Sequence, residues 1–262
     1  MSTDGAVLAG KACVVTGAAR SIGLAIAEAY RDAGASVAMI DVNPEVASQA
    51  ARLAAGGAKV RGYVLDITDQ QAVRTCFARI SAEVGDAYAL VNNAGIVDQR
   101  PFEETTPELL ERMFRVNVYG TVYCTQAVLP AMRKRREGKI INFSSKSGKT
   151  GSALMVPYSA AKGAIISLTQ ALAFEVASDN VKVNCLCPGI TDATGVWSSV
   201  SKGYTENLNL PREEVVKKFT AKIPLGRLTD IRDVVEFVLF LTRGAEYCTG
   251  QAFNITGGRE MH

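Results

Sequence analysis

The chain has 262 residues, 48% of them apolar and 21% charged, with a formal net charge of only +3. Those proportions are ordinary for a globular protein with a sizeable core, and the scattered basic residues argue against a nucleic-acid partner. The single histidine is the terminal His262, which excludes Ser-His-Asp, Cys-His and histidine-metal chemistry built on a buried imidazole.

Short Val- and Ile-rich runs alternate with helical patterns from end to end. The first strand, 12–16, leads through a glycine-containing turn into a helix over 22–33, which Gly34 ends where a left-handed residue is needed. A strand at 36–40 runs up to Asp41, a helix follows over 44–55, then a strand at 59–65. Asp69 reads as the N-cap of a helix over 70–83. Next come a strand at 89–91 and a long helix over 107–135. Its closing run, Arg133-Lys134-Arg135-Arg136, complements the negative end of the helix dipole. A strand at 139–143 precedes Ser145, and a helix over 158–177 precedes a strand at 181–187. The irregular stretch 189–222 contains one helix, 212–221. Asp230 then caps a helix over 231–241, and a strand at 253–255 closes the series.

Strand-helix alternation at this spacing predicts βαβ units with right-handed crossovers. The fold class expected is α/β: one doubly wound domain over 1–262, with a seven-stranded parallel sheet and helices on both faces. An insertion after a strand's carboxyl end lies over the ligand crevice of such a sheet, so 189–222 is expected to hold a substrate lid.

The six cysteines (Cys13, Cys76, Cys124, Cys185, Cys187, Cys248) show no CxxC. Cys185 and Cys187 share one strand face, but no second pair completes a zinc site. They read as buried hydrophobes in a reducing compartment, and no metal is expected. No run approaches about 18 consecutive apolar residues, and no basic, apolar export signal opens the chain, so a cytoplasmic protein without a membrane partner is expected.

After the first strand comes Thr16-Gly17-Ala18-Ala19-Arg20-Ser21-Ile22-Gly23, running into a helix. Gly17 permits a tight turn and Gly23 lets helix and strand pack closely, while the helix N-terminus offers unpaired N–H groups to a pyrophosphate. This is the Rossmann arrangement. Asp41 follows about twenty residues on, as a ribose-binding carboxylate requires. It would accept from both ribose hydroxyls and repel a 2′-phosphate, favouring NAD over NADP. Arg20 pulls the other way.

Tyr158 and Lys162, at i and i+4, share one helix face. A nearby ammonium stabilises a phenolate, bringing a tyrosine that titrates near 10 towards use as a base. Ser145, at the end of the preceding strand, is placed to hold a substrate oxygen. On these residues, together with Asn92-Asn93-Ala94-Gly95, the lone Asn117 within a helix and Pro188-Gly189, the chain resembles the short-chain dehydrogenase/reductase family over essentially its whole length. The resemblance implies an enzyme with Tyr158 as general acid/base and Lys162 lowering its pKa and holding the nicotinamide ribose. Ser145 orients the reacting oxygen, and Asn117 anchors a water of a proton relay.

The resemblance further implies cofactor contacts from Gly17, Arg20, Ser21, Ile22, Gly23, Asp41, Asn93, Ala94, Gly95, Pro188, Gly189 and Thr191. It places Asp66, with Ile67, at the adenine, and it implies a homotetramer. The chain departs from the family pattern at Ser21, where a glycine is usual, and at Ala193, where a threonine is usual.

The segment from Ser145 to Ser152 and the C-terminal Thr256-Gly257-Gly258 resemble the branch that oxidises sugar alcohols. Lys146 and Lys149, beside the catalytic serine, are expected to hold a phosphate or several hydroxyls, with Trp197 in the lid. A polar lid with one aromatic suits a free or phosphorylated hexitol or pentitol, or its ketose. The rival of the same fold is an NADPH-dependent 3-oxoacyl or hydroxysteroid-type reductase, and a rival of another class is a non-catalytic nucleotide sensor.

Overall fold

The computed structural model describes residues 7–191 and 211–261, so the lid expectation and Trp197 lie largely outside the described residues. Seven parallel strands form one sheet in the order β3-β2-β1-β4-β5-β6-β7. They are β1 (Ala12–Thr16), β2 (Ser36–Asp41), β3 (Val60–Val64), β4 (Ala87–Asn92), β5 (Gly138–Phe143), β6 (Val181–Pro188) and β7 (Ala252–Ile255). The helices are α1 (Ser21–Asp32), α2 (Glu45–Leu53), α3 (Gln70–Glu83), α4 (Pro107–Phe114), α5 (Gly120–Arg135), α6 (Lys146–Thr150), α7 (Val156–Val176), α8 (Arg212–Thr220) and α9 (Ile231–Arg243).

The central strands are covered on both faces, which is why β1, β2 and β4 read as near-continuous apolar runs, while the edge strand β3 exposes Arg61 and Val64. Alternate β1 residues serve opposite cores. Cys13 and Val15 pack with Ile26 and Tyr30 of α1, Leu53 of α2 and Val238 of α9. Val14 packs with Phe77 of α3, Val128 and Met132 of α5, and Ala173 and Val176 of α7. α7 with the short 3-10 turn after it, Val156–Asp179, is long and apolar enough to cross a membrane by length and composition alone, a test that core helices also pass. Its apolar content serves instead to cover the sheet, with Ile165, Ala173 and Val176 buried.

The expected caps form. Asp69 accepts from Ala72 N at 2.9 Å, and Asp230 makes a reciprocal capping box with Asp233. The basic run does close α5, and it ties that helix to its neighbours: Arg133 pairs with Glu175 at 2.7 Å and Asp179 at 3.1 Å, while Arg136 donates to Ser178 O.

Two departures from the sequence expectations matter for function. The helix expected over 107–135 is interrupted by a π-helical turn, Arg115–Tyr119, between α4 and α5. There Asn117 Nδ2 donates to Met113 O at 3.0 Å, occupying the carbonyl that the regular ladder would use, and the turn widens. The segment after Ser145, where no helix is predicted from the sequence, forms α6. Ser145 is its N-cap and accepts from Ser147 N at 3.1 Å.

The turn after β1 is built by close packing. A Cβ on Gly23 would stand 2.0 Å from Gly17 O, so no other residue fits there. Asn93, just past β4, donates from Nδ2 to Thr16 O and Gly17 O, while Thr16 Oγ1 accepts from Asn93 N and Ala94 N. Ser21 opens α1 with φ +54, in the left-handed region that favours glycine. An L-residue there costs about 1 kcal/mol. Ser21→Gly is therefore expected to raise unfolding stability by about 1 kcal/mol in urea melts without cofactor; an unchanged or lower midpoint would contradict this strain.

Candidate active site

The carboxyl ends of β1, β4, β5 and β6 open into one cavity of about 500 Å³. Because the strand order reverses direction between β1 and β4, the helices leaving these two strands diverge, and a crevice is left at the switch point. Along one part of the wall lie Gly17, Arg20, Ser21, Ile22, Gly23, Asp41, Asn93, Ala94 and Gly95. Along the other lie Asn117, Ser145, Lys146, Tyr158, Lys162, Pro188, Gly189 and Thr191. Nearly every residue expected from the sequence is thus brought to one surface.

Three are not. Asp66 is exposed and accepts from Thr68 N, and Ile67 is buried against Gly120; neither lines the cavity. Lys149 does not line the cavity and donates instead to Ala252 O at 2.7 Å. Placing Lys149 at the cavity mouth, as the sequence suggested, is corrected on this point.

Asp41 is fixed at the end of β2. Its carboxylate accepts from Ala19 N and Asn43 N, both at 2.9 Å, which ties the strand end to the glycine turn. Arg20 is exposed nearby and makes no ion pair among the described residues. Ser21 Oγ is buried without a hydrogen-bond partner. An unpartnered hydroxyl on this turn, a helix N-terminus behind it and a carboxylate at the next strand end suit a nicotinamide dinucleotide, with the pyrophosphate at the turn and a ribose at Asp41.

The other half is built on α7. Lys162 is 4% exposed, and its ammonium donates to Phe143 O at the end of β5 at 2.8 Å. Ser144 Oγ donates to Lys162 O at 2.7 Å, and Gly148 lets α6 press against the same carbonyl, where a Cβ would come within 2.7 Å. Burial depresses Lys162 to about 8, opposed by the Cys185 and Cys187 thiols. Burial also raises the Tyr158 phenol, and the Ser145 hydroxyl, within hydrogen-bonding reach, opposes that rise.

The lowering of the phenol by its lysine, expected from the spacing, does not emerge: desolvation raises the phenol, and it is the Ser145 hydroxyl that opposes the rise. The ammonium stands 5.8 Å from the ring centroid and is engaged with Phe143. Asn117 donates from Nδ2 to Ile96 O as well as Met113 O, and its Oδ1 is buried with no partner. A Cβ on Gly95 would meet that Oδ1 at 2.7 Å and Lys162 Nζ at 3.3 Å, so amide oxygen and ammonium face one small space. The arrangement offers a buried phenol, a hydroxyl beside it, and an amine with an open acceptor behind it.

Sequence reasoning missed other residues on the wall: Asp98, Arg112, Met113, Ser147, Ser152, Met155, Phe219 and Arg259. Half of them, Asp98, Ser152, Met155 and Arg259, come from connections whose approach to the cavity has no local signal. Ser145-Lys146-Ser147-Gly148 did carry one, a serine followed by a short run of helix-compatible residues.

The description short chain dehydrogenase belongs to the family model that matches residues 11–205. A sorbitol dehydrogenase from Cereibacter sphaeroides is 40% identical over 256 residues, 97% of this chain and 99% of that protein. The structure of an NAD+-bound xylitol dehydrogenase superposes with a TM-score of 0.91 at 29% identity, covering 96% of this chain and 99% of the other. A single-substitution variant of actinorhodin polyketide ketoreductase with NADPH superposes with a TM-score of 0.90 at 31% identity, covering 99% of each chain. With its sheet, glycine turn and Ser-Tyr-Lys wall described above, the chain belongs to the short-chain dehydrogenase family and is an oxidoreductase of the CH–OH group, similar to its sugar-alcohol dehydrogenases.

Proposed function

We propose that this protein is an NAD-dependent polyol dehydrogenase, interconverting a hexitol or pentitol and the corresponding ketose. The observation that carries the reading is the convergence of Ser145, Tyr158, Lys162 and Asn117 on the wall that continues from the glycine turn. A lining of Ser144, Ser145, Ser147, Ser152 and Thr191 offers hydroxyl groups suited to a hydroxylated substrate. A cytoplasmic homotetramer completes the reading, supported by the family resemblance.

When bound, the nicotinamide dinucleotide supplies the hydride acceptor or donor. Tyr158 holds the exchanged proton on its phenol oxygen: as phenolate it takes the proton of the alcohol, and as phenol it returns it to the ketone. Ser145 Oγ hydrogen-bonds the reacting oxygen and keeps it beside that phenol. Lys162 holds positive charge behind the phenolate, and the open Asn117 Oδ1 accepts from a water through which the proton leaves. Because burial raises the phenol, the resting enzyme carries it protonated, ready for ketone reduction.

Asp41 supports NAD, since a fixed carboxylate beside the ribose repels a 2′-phosphate. The exposed Arg20, with no ion pair among the described residues, favours the second reading, an NADPH-dependent ketone reductase. Steady-state kinetics on polyols and on acyl and steroid ketones, each with both nucleotides, separates the two. Turnover of those ketones with NADPH but of no polyol with NAD would replace the first reading by the second.

Three outcomes are expected. Tyr158→Phe retains NADH binding by fluorescence and loses about 10³-fold or more in kcat; comparable activity would remove the assignment. Asp41→Ser moves the NAD/NADP ratio of kcat/KM at least about tenfold towards NADP, and an unchanged ratio would separate Asp41 from the ribose. For alcohol oxidation the active form is the phenolate, whose fraction grows about tenfold per pH unit below its pKa. Since burial raises that pKa, kcat/KM for oxidation climbs from pH 6 up to about 8, where Lys162 still carries its charge, while ketone reduction stays flat. A flat oxidation profile would exclude the phenol as base.

A further inference from the structure

Beyond β7 the chain turns back and brings charge to the cavity. Gly257 and Gly258, with φ +62 and +89, make the turn. Thr256 fastens the residues beyond it, its hydroxyl accepting from Glu260 N and donating to Glu260 O, both at 3.3 Å, while Asn254 Nδ2 donates to the same carbonyl at 3.0 Å. The Arg259 guanidinium, thus placed, lines the cavity above the Phe219 ring, 5.6 Å from its centroid. The Glu260 side chain is only 7% exposed, and its Oε1 stands 3.3 Å from Arg259 Nε and 3.7 Å from Lys146 Nζ. Lys146 is 14% exposed, donates to Gly151 O and lines the same cavity.

Two half-buried cations therefore flank one carboxylate. The Lys146 ammonium is depressed first by burial and then by Arg259, Glu260 opposes this, and Lys222 adds a further repulsion. Of the two carboxylates that line the cavity, Asp41 is held at the glycine turn, and Asp98 is committed to Arg100, whose Nη2 donates to it at 2.8 Å. Arg112 also lines the cavity and has no carboxylate partner among the described residues. Cations in excess at a partly desolvated wall are costly unless an anion completes them. Arginine and lysine together suit an oxyanion, the one by its planar fork and the other as a point charge.

We propose that Lys146 and Arg259, held on either side of the Glu260 carboxylate, receive an anionic group, a phosphate monoester or a carboxylate, carried by the substrate away from its reacting carbon. The proposal rests on the polyol reading above and narrows its substrate class. Glu260 is a positioning residue, keeping two like charges together at the wall. Lys149, the other lysine of α6, takes no part.

The test uses the full chain with saturating nucleotide and three substrates of similar length: sorbitol, sorbitol 6-phosphate and gluconate. At least one anionic substrate is expected to exceed sorbitol about tenfold or more in kcat/KM, and the arm that rises identifies the group as phosphate or carboxylate. Arg259→Gln and Lys146→Gln are each expected to reduce that preference about tenfold through KM, while Arg259→Lys, which keeps the charge and loses the fork, retains part of it. A preference for sorbitol itself, or an unchanged preference in both folded Gln variants, overturns the proposal.

If either Gln variant fails to fold, competition on the unaltered enzyme decides: inorganic phosphate raises KM for the anionic substrate and leaves KM for sorbitol alone, and no competition overturns the site. Turnover of none of the three substrates with either nucleotide sinks the polyol reading instead. The anion site is then judged by calorimetry with inorganic phosphate, where binding that Arg259→Lys keeps supports it and absence of binding overturns it.

Discussion

A buried ammonium must find an acceptor, and Lys162 finds Phe143 O at the carboxyl end of β5, 2.8 Å away. That contact sets how α7 sits against the sheet end. Its neighbours are arranged around it. Ser144 reaches the Lys162 carbonyl, Gly148 gives α6 room to press against it, and Ser145 is left as the cap of α6 with its hydroxyl beside the phenol. Tyr158 stands one turn before Lys162 on α7, so anchoring the amine also aims the phenol.

The dinucleotide half depends on a second tie of the same kind. Thr16 and Asn93 bind the ends of β1 and β4 together at the point where the strand order changes direction. Without it the glycine turn would have no fixed relation to Gly95, the glycine that faces both Asn117 Oδ1 and Lys162 Nζ. The two halves of the cavity are thus coupled through β4 by backbone and amide hydrogen bonds rather than by any contact between Arg20 or Asp41 and the residues of α7.

Much of this is legible in the sequence. Central strands covered on both faces are apolar along most of their length, so β1, β2 and β4 appear as local runs, and caps such as Asp69 and Asp230 act on the next few N–H groups and leave a local mark. Tyr158 and Lys162 are legible because helix geometry alone puts i and i+4 side by side. The wide turn at Asn117 is not, since it depends on that side chain choosing Met113 O and Ile96 O once β4 and α4 are packed. Arg259 and Glu260 leave no mark either, because no periodicity connects a C-terminal turn with a lysine on α6.

What the amino-acid order determined by itself is the seven strands, most of the helices, the family and the glycine-turn and Ser-Tyr-Lys parts of the wall, because each rests on spacing within one or two elements. The tertiary structure decided which lysine of α6 faces the cavity, that Arg259 joins it, and that burial raises the phenol despite its nearby amine. Those outcomes depend on desolvation and on charges distant in sequence, and neither quantity exists until the sheet end, α7 and the C-terminal turn have closed around the same space.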